Sequence, residues 1–341
     1  MSSEFDNTNR GEQLTSAVPA AVPAASTTNP TDAPTSAAQG NLRTGKSSAD
    51  PGGEGTPRGR SGSLRSSNAS LRSKTGKLAI LALRQSMPER DLTILRSLAA
   101  HRFLTTRQIT ALHFADTGQD QYGSRVARKV LKRLDEASVL SHLDQRIGGF
   151  RAGSDGYVWR VGPVGDRLLR FGTSDTTRRG RRYEPSTWFL GHCLAIAELH
   201  VTLAQTARDG RFDLTSLELE PSTWREYQGS FGERRILKPD LGAVTASGEY
   251  EDHFWFEIDL GNEHLPTILD KCRAYEAYRR TGLEDERRGE GVFPIVVWVM
   301  HTAERAARLR AAIAESRDVD ASPFRVTTPD EMAEMVAGGA E

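Results

Sequence analysis

Hydrophobic positions begin to repeat only after about residue 87. Leu92, Leu95, Leu98 and Ala99 recur at helical spacing behind Pro88-Glu89-Arg90-Asp91, a run that suits a helix start. The segment FLTTRQITALHF continues the pattern through Ile109, Leu112 and His113, with Thr105 or Thr106 as N-cap. The stretch ADTGQDQYG reads as a loop, and SRVARKVLKRLDEASVL as a third helix. Its core stripe is Val126, Val130 and Leu134, flanked by Ala127, Leu131 and Val139. The period then falls to two. Leu140, His142, Gly148–Phe150 and Tyr157–Val161 predict two short strands around the glycine-rich RIGGFRAGSDG, and VGPVGDRLLRF closes as a short helix.

A second series starts near residue 184. WFLGHCLAIAELHVTLAQTAR predicts a long helix, LTSLELEP a strand, RRILKPDLGAVT one continuous strand, and HFWFEIDL a third after a Gly-Glu-Tyr-Glu-Asp turn. HLPTILDKCRAYEAYRRTG follows as a helix with Pro266 in its first turn. VFPIVVWVM is a buried strand, TAERAARLRAAIAES a helix and FRVTTPDE a last strand. The order α-β-β-β-α-β-α-β implies antiparallel strands leading into parallel crossovers. The expected partition is a tail over 1–86, one domain over 87–172, an arginine-rich linker over 173–183, a second domain over 184–330 and a C-terminal tail over 331–341.

Composition changes the picture at the N-terminus. Apolar residues make up 37% of the 341 residues, below the usual globular range, and the deficit lies in a Ser/Ala/Pro-rich start whose only aromatic before residue 77 is Phe5. Such a stretch buries too little apolar area to offset its ordering entropy and is expected to be disordered. Its second half is basic, which suits a solvated linker or an arm attracted to phosphate. The 45 basic and 45 acidic residues balance, which excludes a uniformly basic, histone-like chain but leaves nucleic-acid binding open. No apolar run reaches membrane-spanning length and no secretory signal is seen, so a cytoplasmic protein without a membrane partner is expected. The two cysteines, Cys193 and Cys272, match no zinc spacing.

Three helices, a hairpin and a closing helix are the element order of a winged helix-turn-helix domain, whose third helix enters the major groove of duplex DNA. That helix carries Arg125, Arg128, Lys129, Lys132 and Arg133 off its apolar stripe, a set suited to phosphate and base contacts. In HFWFEIDL, strand alternation places Trp255, Glu257 and Asp259 on one face and Phe254, Phe256, Ile258 and Leu260 on the other. Asp240, on the preceding strand, is expected beside Glu257. Buried carboxylates need solvent, a partner or a metal, and oxygens so placed suit Mg²⁺ or Mn²⁺ and phosphodiester hydrolysis. Only seven basic residues are lysines, and Lys238 and Lys271 are the two that approach these acids. In the long helix, His192 is expected to pack or hydrogen-bond, and Glu198 to be either a further acid or a surface charge.

The run Pro239-Asp240 followed by Glu257-x-Asp259 resembles the PD-(D/E)XK nuclease pattern, with Asp259 where a lysine is usual. The resemblance implies a mixed fold: an α+β winged helix-turn-helix domain followed by an α/β PD-(D/E)XK nuclease-like domain, behind a disordered tail. FLTTRQITALHF, WFLGHCLAIAEL, RRILKPDLGAV and FEIDLGNEHLPTILDKCRAYEAYRR together resemble the replication-relaxation family over about 88–315, with Asn262 where that family's acidic strand often has threonine. This resemblance implies a DNA-binding role in replication or relaxation of a plasmid or mobile element, with double-stranded DNA and plasmid replication proteins as partners. Two alternatives stay open beside it. One is a metal-dependent endonuclease or nickase using Asp240, Glu257, Asp259, Lys238 and Lys271. The other is a transcriptional or copy-number regulator with a non-catalytic second domain.

Overall fold

A computed structural model describes residues 76–117, 120–143, 157–171, 184–288 and 292–339. The tail up to residue 75, the expected strand at Gly148–Phe150 and the linker over 173–183 lie outside the described residues.

Helical residues 76–86 form α1, so the last part of the expected tail is structured: Ile80 is buried, and Leu83 and Met87 pack on the same core. Helices α2 (Glu89–His101), α3 (Thr106–His113) and α4 (Asp120–Glu136) surround that core, with Leu95, Leu98, Ile109, Leu131 and Leu134 inside it. Thr105 caps α3 through a capping box: its hydroxyl accepts the Gln108 N–H, and the Gln108 side chain accepts the Thr105 N–H. Helix α4 begins at Asp120, inside the stretch expected as a loop, and a 3₁₀ turn at Ala115–Thr117 precedes it. Strands β1 (Leu104–Thr105), β2 (Leu140–His142) and β3 (Val158–Val161) make an antiparallel sheet in the order β1-β3-β2. Helix α5 (Pro163–Leu169) follows.

Helix α6 (Thr187–Arg208) begins at the Ser186 cap. It is long and apolar enough, by length and composition alone, to cross a membrane. Its apolar positions serve two cores instead. Leu190, Cys193 and Leu194 pack with Phe103, Leu143 and Val158, while Leu199 and Leu203 pack on the large sheet. That sheet contains β4 (Asp213–Leu219), β7 (Leu241–Ser247), β8 (Tyr250–Asp259), β9 (Ile295–Met300) and β10 (Phe324–Thr327) in the order β10-β9-β8-β7-β4. Strands β4, β7 and β8 are antiparallel, and β8, β9 and β10 are parallel. Alternation along β8 sends Phe254 and Phe256 to α6 and α10 (Pro329–Ala337), and Trp255 to α7 (Leu265–Arg279) and α9 (Ala303–Glu315). The sheet is thus covered on both faces, as parallel strands require.

Two further expectations need correction. The strand expected through RRILKPDLGAVT is broken at Lys238-Pro239-Asp240: β6 (Arg234–Leu237) pairs with β5 (Arg225–Gln228) in a separate hairpin, and only β7 joins the large sheet. Pro239 cannot donate to a ladder, which favours a break there. The C-terminal residues expected as a tail form most of α10, whose Met332 and Val336 are buried against the sheet core. A short helix, α8 (Leu283–Arg288), follows α7 and carries the buried Glu284.

Candidate functional site

The break at Pro239 delivers Asp240 to the end of the sheet. The register pairs Leu241 with Phe256, so Asp240 falls opposite Glu257, as strand alternation predicts. The Asp240 N–H donates to the Phe256 carbonyl at 3.1 Å, and Asp240 Oδ2 accepts the Ile258 N–H at 2.8 Å. Its other oxygen lies 3.1 Å from His192 Nε2 of α6. The His192 ring in turn lies parallel to Trp188, with centroids 5.7 Å apart.

Glu257 is 1% exposed. Lys271 Nζ donates to its Oε2 at 2.5 Å, and the Tyr275 hydroxyl donates to its Oε1 at 2.5 Å. Both donors stand one turn apart on α7, which crosses the sheet face directly after β8. Asp259 is also buried, but it faces a different partner. The Arg305 guanidinium of α9 grips both of its oxygens and also donates to the Glu263 carbonyl. Between these strands of contact, Gly261 turns the chain at φ +88°, and a Cβ there would lie 2.5 Å from His301 Cε1. The positive φ favours glycine there, and a side chain at this position would also push the His301 ring aside.

A pocket of about 390 Å³ opens on this arrangement, lined among others by His192, Lys238, Asp240, Glu257, Asp259 and Lys271. Lys238 lines it with its ammonium over the Trp224 ring, 4.3 Å from the centroid. Burial pushes the Glu257 carboxyl up to about 8; Lys271 opposes the shift and Asp240 adds to it. Burial pulls the Lys271 ammonium down, but attraction to Glu257 and Asp240 outweighs it, so the lysine stays charged. For His192, the hydrogen bond and charge of Asp240 outweigh burial and raise the imidazole above its ordinary value. The pocket therefore joins a buried carboxyl with raised proton affinity, Glu257, to the charged Lys271 and to a His192 imidazole that takes up its proton more readily than usual.

The donor set does not suit a divalent metal as it stands. Asp240 accepts from His192 and an amide, Glu257 from Lys271 and Tyr275, and Asp259 from Arg305. Among the described residues, no group of three or more His, Cys, Asp or Glu side chains converges to hold a metal ion. Asp240 and Glu257 meet through the β7–β8 register, and Asp259, which lines the same pocket, is held by Arg305. The group that α6 contributes is His192. Glu198 ties α6 to α3, accepting from Gln108 Nε2 at 3.0 Å and pairing with Arg107 at 2.7 Å. His192 packs and hydrogen-bonds as expected, but its partner could not be read from the sequence because it lies 48 residues away.

The second candidate surface is α4. Ala127, Val130, Leu131 and Leu134 are buried, while Arg125, Arg128, Lys129, Lys132 and Arg133 are all exposed. Arg133 is the exception to a simple cationic face. It pairs with Asp91 of α2, a carboxylate only 1% exposed, and so ties two helices together. Lys132 lies 3.9 Å from Glu136, and Arg128 Nε donates to the Ser124 carbonyl at 3.2 Å.

No curated protein and no solved structure matches the chain. The replication-relaxation family does match, over residues 95–296. That span takes in the cationic helix α4, the helix carrying His192, Asp240 just before β7 and the carboxylates of β8. The chain belongs to the replication-relaxation family.

Proposed function

We propose that this protein binds duplex DNA and acts in the replication or relaxation of a plasmid or other mobile element, within the cytoplasm and alongside plasmid replication proteins. In this reading, α2 to α5 with β1 to β3 are a winged helix-turn-helix and α4 is its recognition helix. The part from α6 to α10 is a PD-(D/E)XK-like domain packed against it through α6. The observation that carries the reading is the division of α4 into a buried apolar stripe and an exposed set of five cations. A helix so divided offers phosphate contacts along one face while the other anchors it to the core.

Replacing Lys129 and Lys132 together by alanine tests the interface without touching the Arg133–Asp91 tie. Each phosphate contact removed is expected to flatten the log–log salt dependence of duplex binding by about 0.9. Fluorescence anisotropy across a salt series measures this. Unchanged affinity and slope in a folded variant would place DNA elsewhere.

A metal-dependent nickase acting through Asp240, Glu257 and Asp259 is the second reading, favoured by the meeting of Asp240 and Glu257 at the pocket; it requires a divalent ion to displace the Lys271, Tyr275 and Arg305 donors now on Glu257 and Asp259. Supercoiled plasmid separates the two. The binding reading, which serves a regulator equally, expects plasmid to stay supercoiled with Mg²⁺ present. Nicking that Asp240→Asn abolishes would establish the second.

A further inference from the structure

The two acids that meet at the pocket already possess a cation. Lys271 Nζ lies 2.5 Å from Glu257 Oε2 and interacts electrostatically with Asp240 as well. An ammonium is a compact point charge with three donors, so it neutralises the charge a divalent ion would otherwise offset. It is also delivered by a fixed element. The neighbours of Lys271 on α7, Ile268, Cys272 and Tyr275, are all fully buried, and Tyr275 fills the remaining oxygen of Glu257. A magnesium-type ion needs carboxylate oxygens at about 2.0–2.1 Å in near-octahedral array. Here each oxygen of Asp240 and Glu257 already accepts from a protein donor. Asp259 cannot relieve the shortage, because Arg305 holds it through both oxygens.

We infer that Lys271 is a built-in cation occupying the place of a divalent metal beside Glu257 and Asp240, and that the pocket takes Mn²⁺ or Mg²⁺ only once that ammonium is removed. Neutralising Lys271 leaves Glu257 without its counter-charge and Asp240 with His192 alone, and a hard divalent cation is the ligand class that restores the balance. The inference stands on the β7–β8–α7 geometry alone. Failure of DNA binding through α4 would leave it intact, and its own failure would leave the DNA-binding reading intact.

The test uses the full chain and Mn²⁺ itself. Free Mn²⁺ is followed by electron paramagnetic resonance, and the melting temperature is followed in parallel. Wild type is expected to bind no more Mn²⁺ than Asp240→Asn and to melt at the same temperature with and without the ion. Lys271→Met is expected to gain one saturable Mn²⁺ site and a melting temperature that rises with the logarithm of Mn²⁺ concentration, as mass action requires. Adding Asp240→Asn to that variant should abolish both gains. Saturable Mn²⁺ binding by wild type that Asp240→Asn removes would overturn the inference, since metal and ammonium would then coexist. A folded Lys271→Met that binds no Mn²⁺ would overturn it equally. If Lys271→Met does not fold, Lys271→Gln, which keeps a donor toward Glu257 without the charge, is held to the same two outcomes.

Discussion

Glu284→Ala is expected to lower the melting temperature by roughly 10 °C, from a loss of about 3–5 kcal/mol at about 2–4 °C per kcal/mol. The carboxylate is 2% exposed and is the meeting point of three donors: Arg225 Nε at 2.9 Å, the Tyr278 hydroxyl at 2.8 Å and Arg288 Nε at 2.8 Å. Arg225 is itself 3% exposed and comes from β5, so the pair fastens the β5–β6 hairpin to the body of the domain. Removing the acid leaves a guanidinium buried beside the Trp255 ring, without its principal counter-charge. Breaking one side of a buried ion pair costs far more than replacing both sides. Arg225→Met with Glu284→Leu should therefore recover most of the loss. Thermal melts of the single and double variants measure the effect, and a single-variant loss under about 1 kcal/mol would show that packing rather than charge holds the hairpin.

Acid should open the junction between the helical part and α6. His101 of α2 and His200 of α6 share a hydrogen bond of 2.8 Å between Nε2 and Nδ1, which requires at least one ring to be neutral. Burial, followed by the neighbouring histidine charges, lowers His101 to about 3. Burial, followed by repulsion from His113 and Arg208, lowers His200 to about 4. His113 of α3 falls to about 4 through burial and Arg208. In the unfolded chain these rings take up protons near pH 6.5. Between about pH 4 and 6.5 the unfolded state thus binds more protons, and stability falls as pH falls. Each histidine contributes up to about 1.4 kcal/mol per pH unit in that window.

At the pocket the sign is opposite, over about pH 4.5 to 8 for Glu257 and upward from its ordinary value for His192. The folded values of Glu257 and His192 both lie above their unfolded ones. Their contribution is complete below the unfolded values and is lost as pH rises through the folded ones. Denaturant melts from pH 5 to 9 should give a maximum near neutrality. His200→Asn should soften the acid limb and Glu257→Gln the alkaline limb. A flat profile between pH 5 and 6.5 would mean that the three rings are not buried together.

Local pattern made much of this fold readable. The stripe Val130, Leu131 and Leu134 on α4 and the alternation of Phe254 through Asp259 on β8 needed only the periods of helix and strand. Asp240 meeting Glu257 followed from one short connection between neighbouring strands. Lys271 was reachable because α7 crosses the face immediately after β8. Contacts set by distant elements were not readable. Arg305 captures Asp259 from 46 residues away, and His192 reaches Asp240 across 48. Arg133 reads as one more surface cation until the packing of α2 on α4 brings Asp91 to it. The β5–β6 hairpin was hidden for a related reason: RRIL runs into LGAV with apolar residues on both sides, and only the proline between them marks two different sheets.

The central claim is that α4 is the helix that meets duplex DNA. The most direct measurement is zero-length photocrosslinking of the full chain to a radiolabelled duplex, with the attached peptides mapped by mass spectrometry. Crosslinks are expected in peptides covering Arg125 to Lys132, and they should fade as salt rises, in step with phosphate-driven binding. Crosslinks confined to peptides lining the carboxylate pocket or the β5–β6 hairpin, with none on α4, would contradict the account.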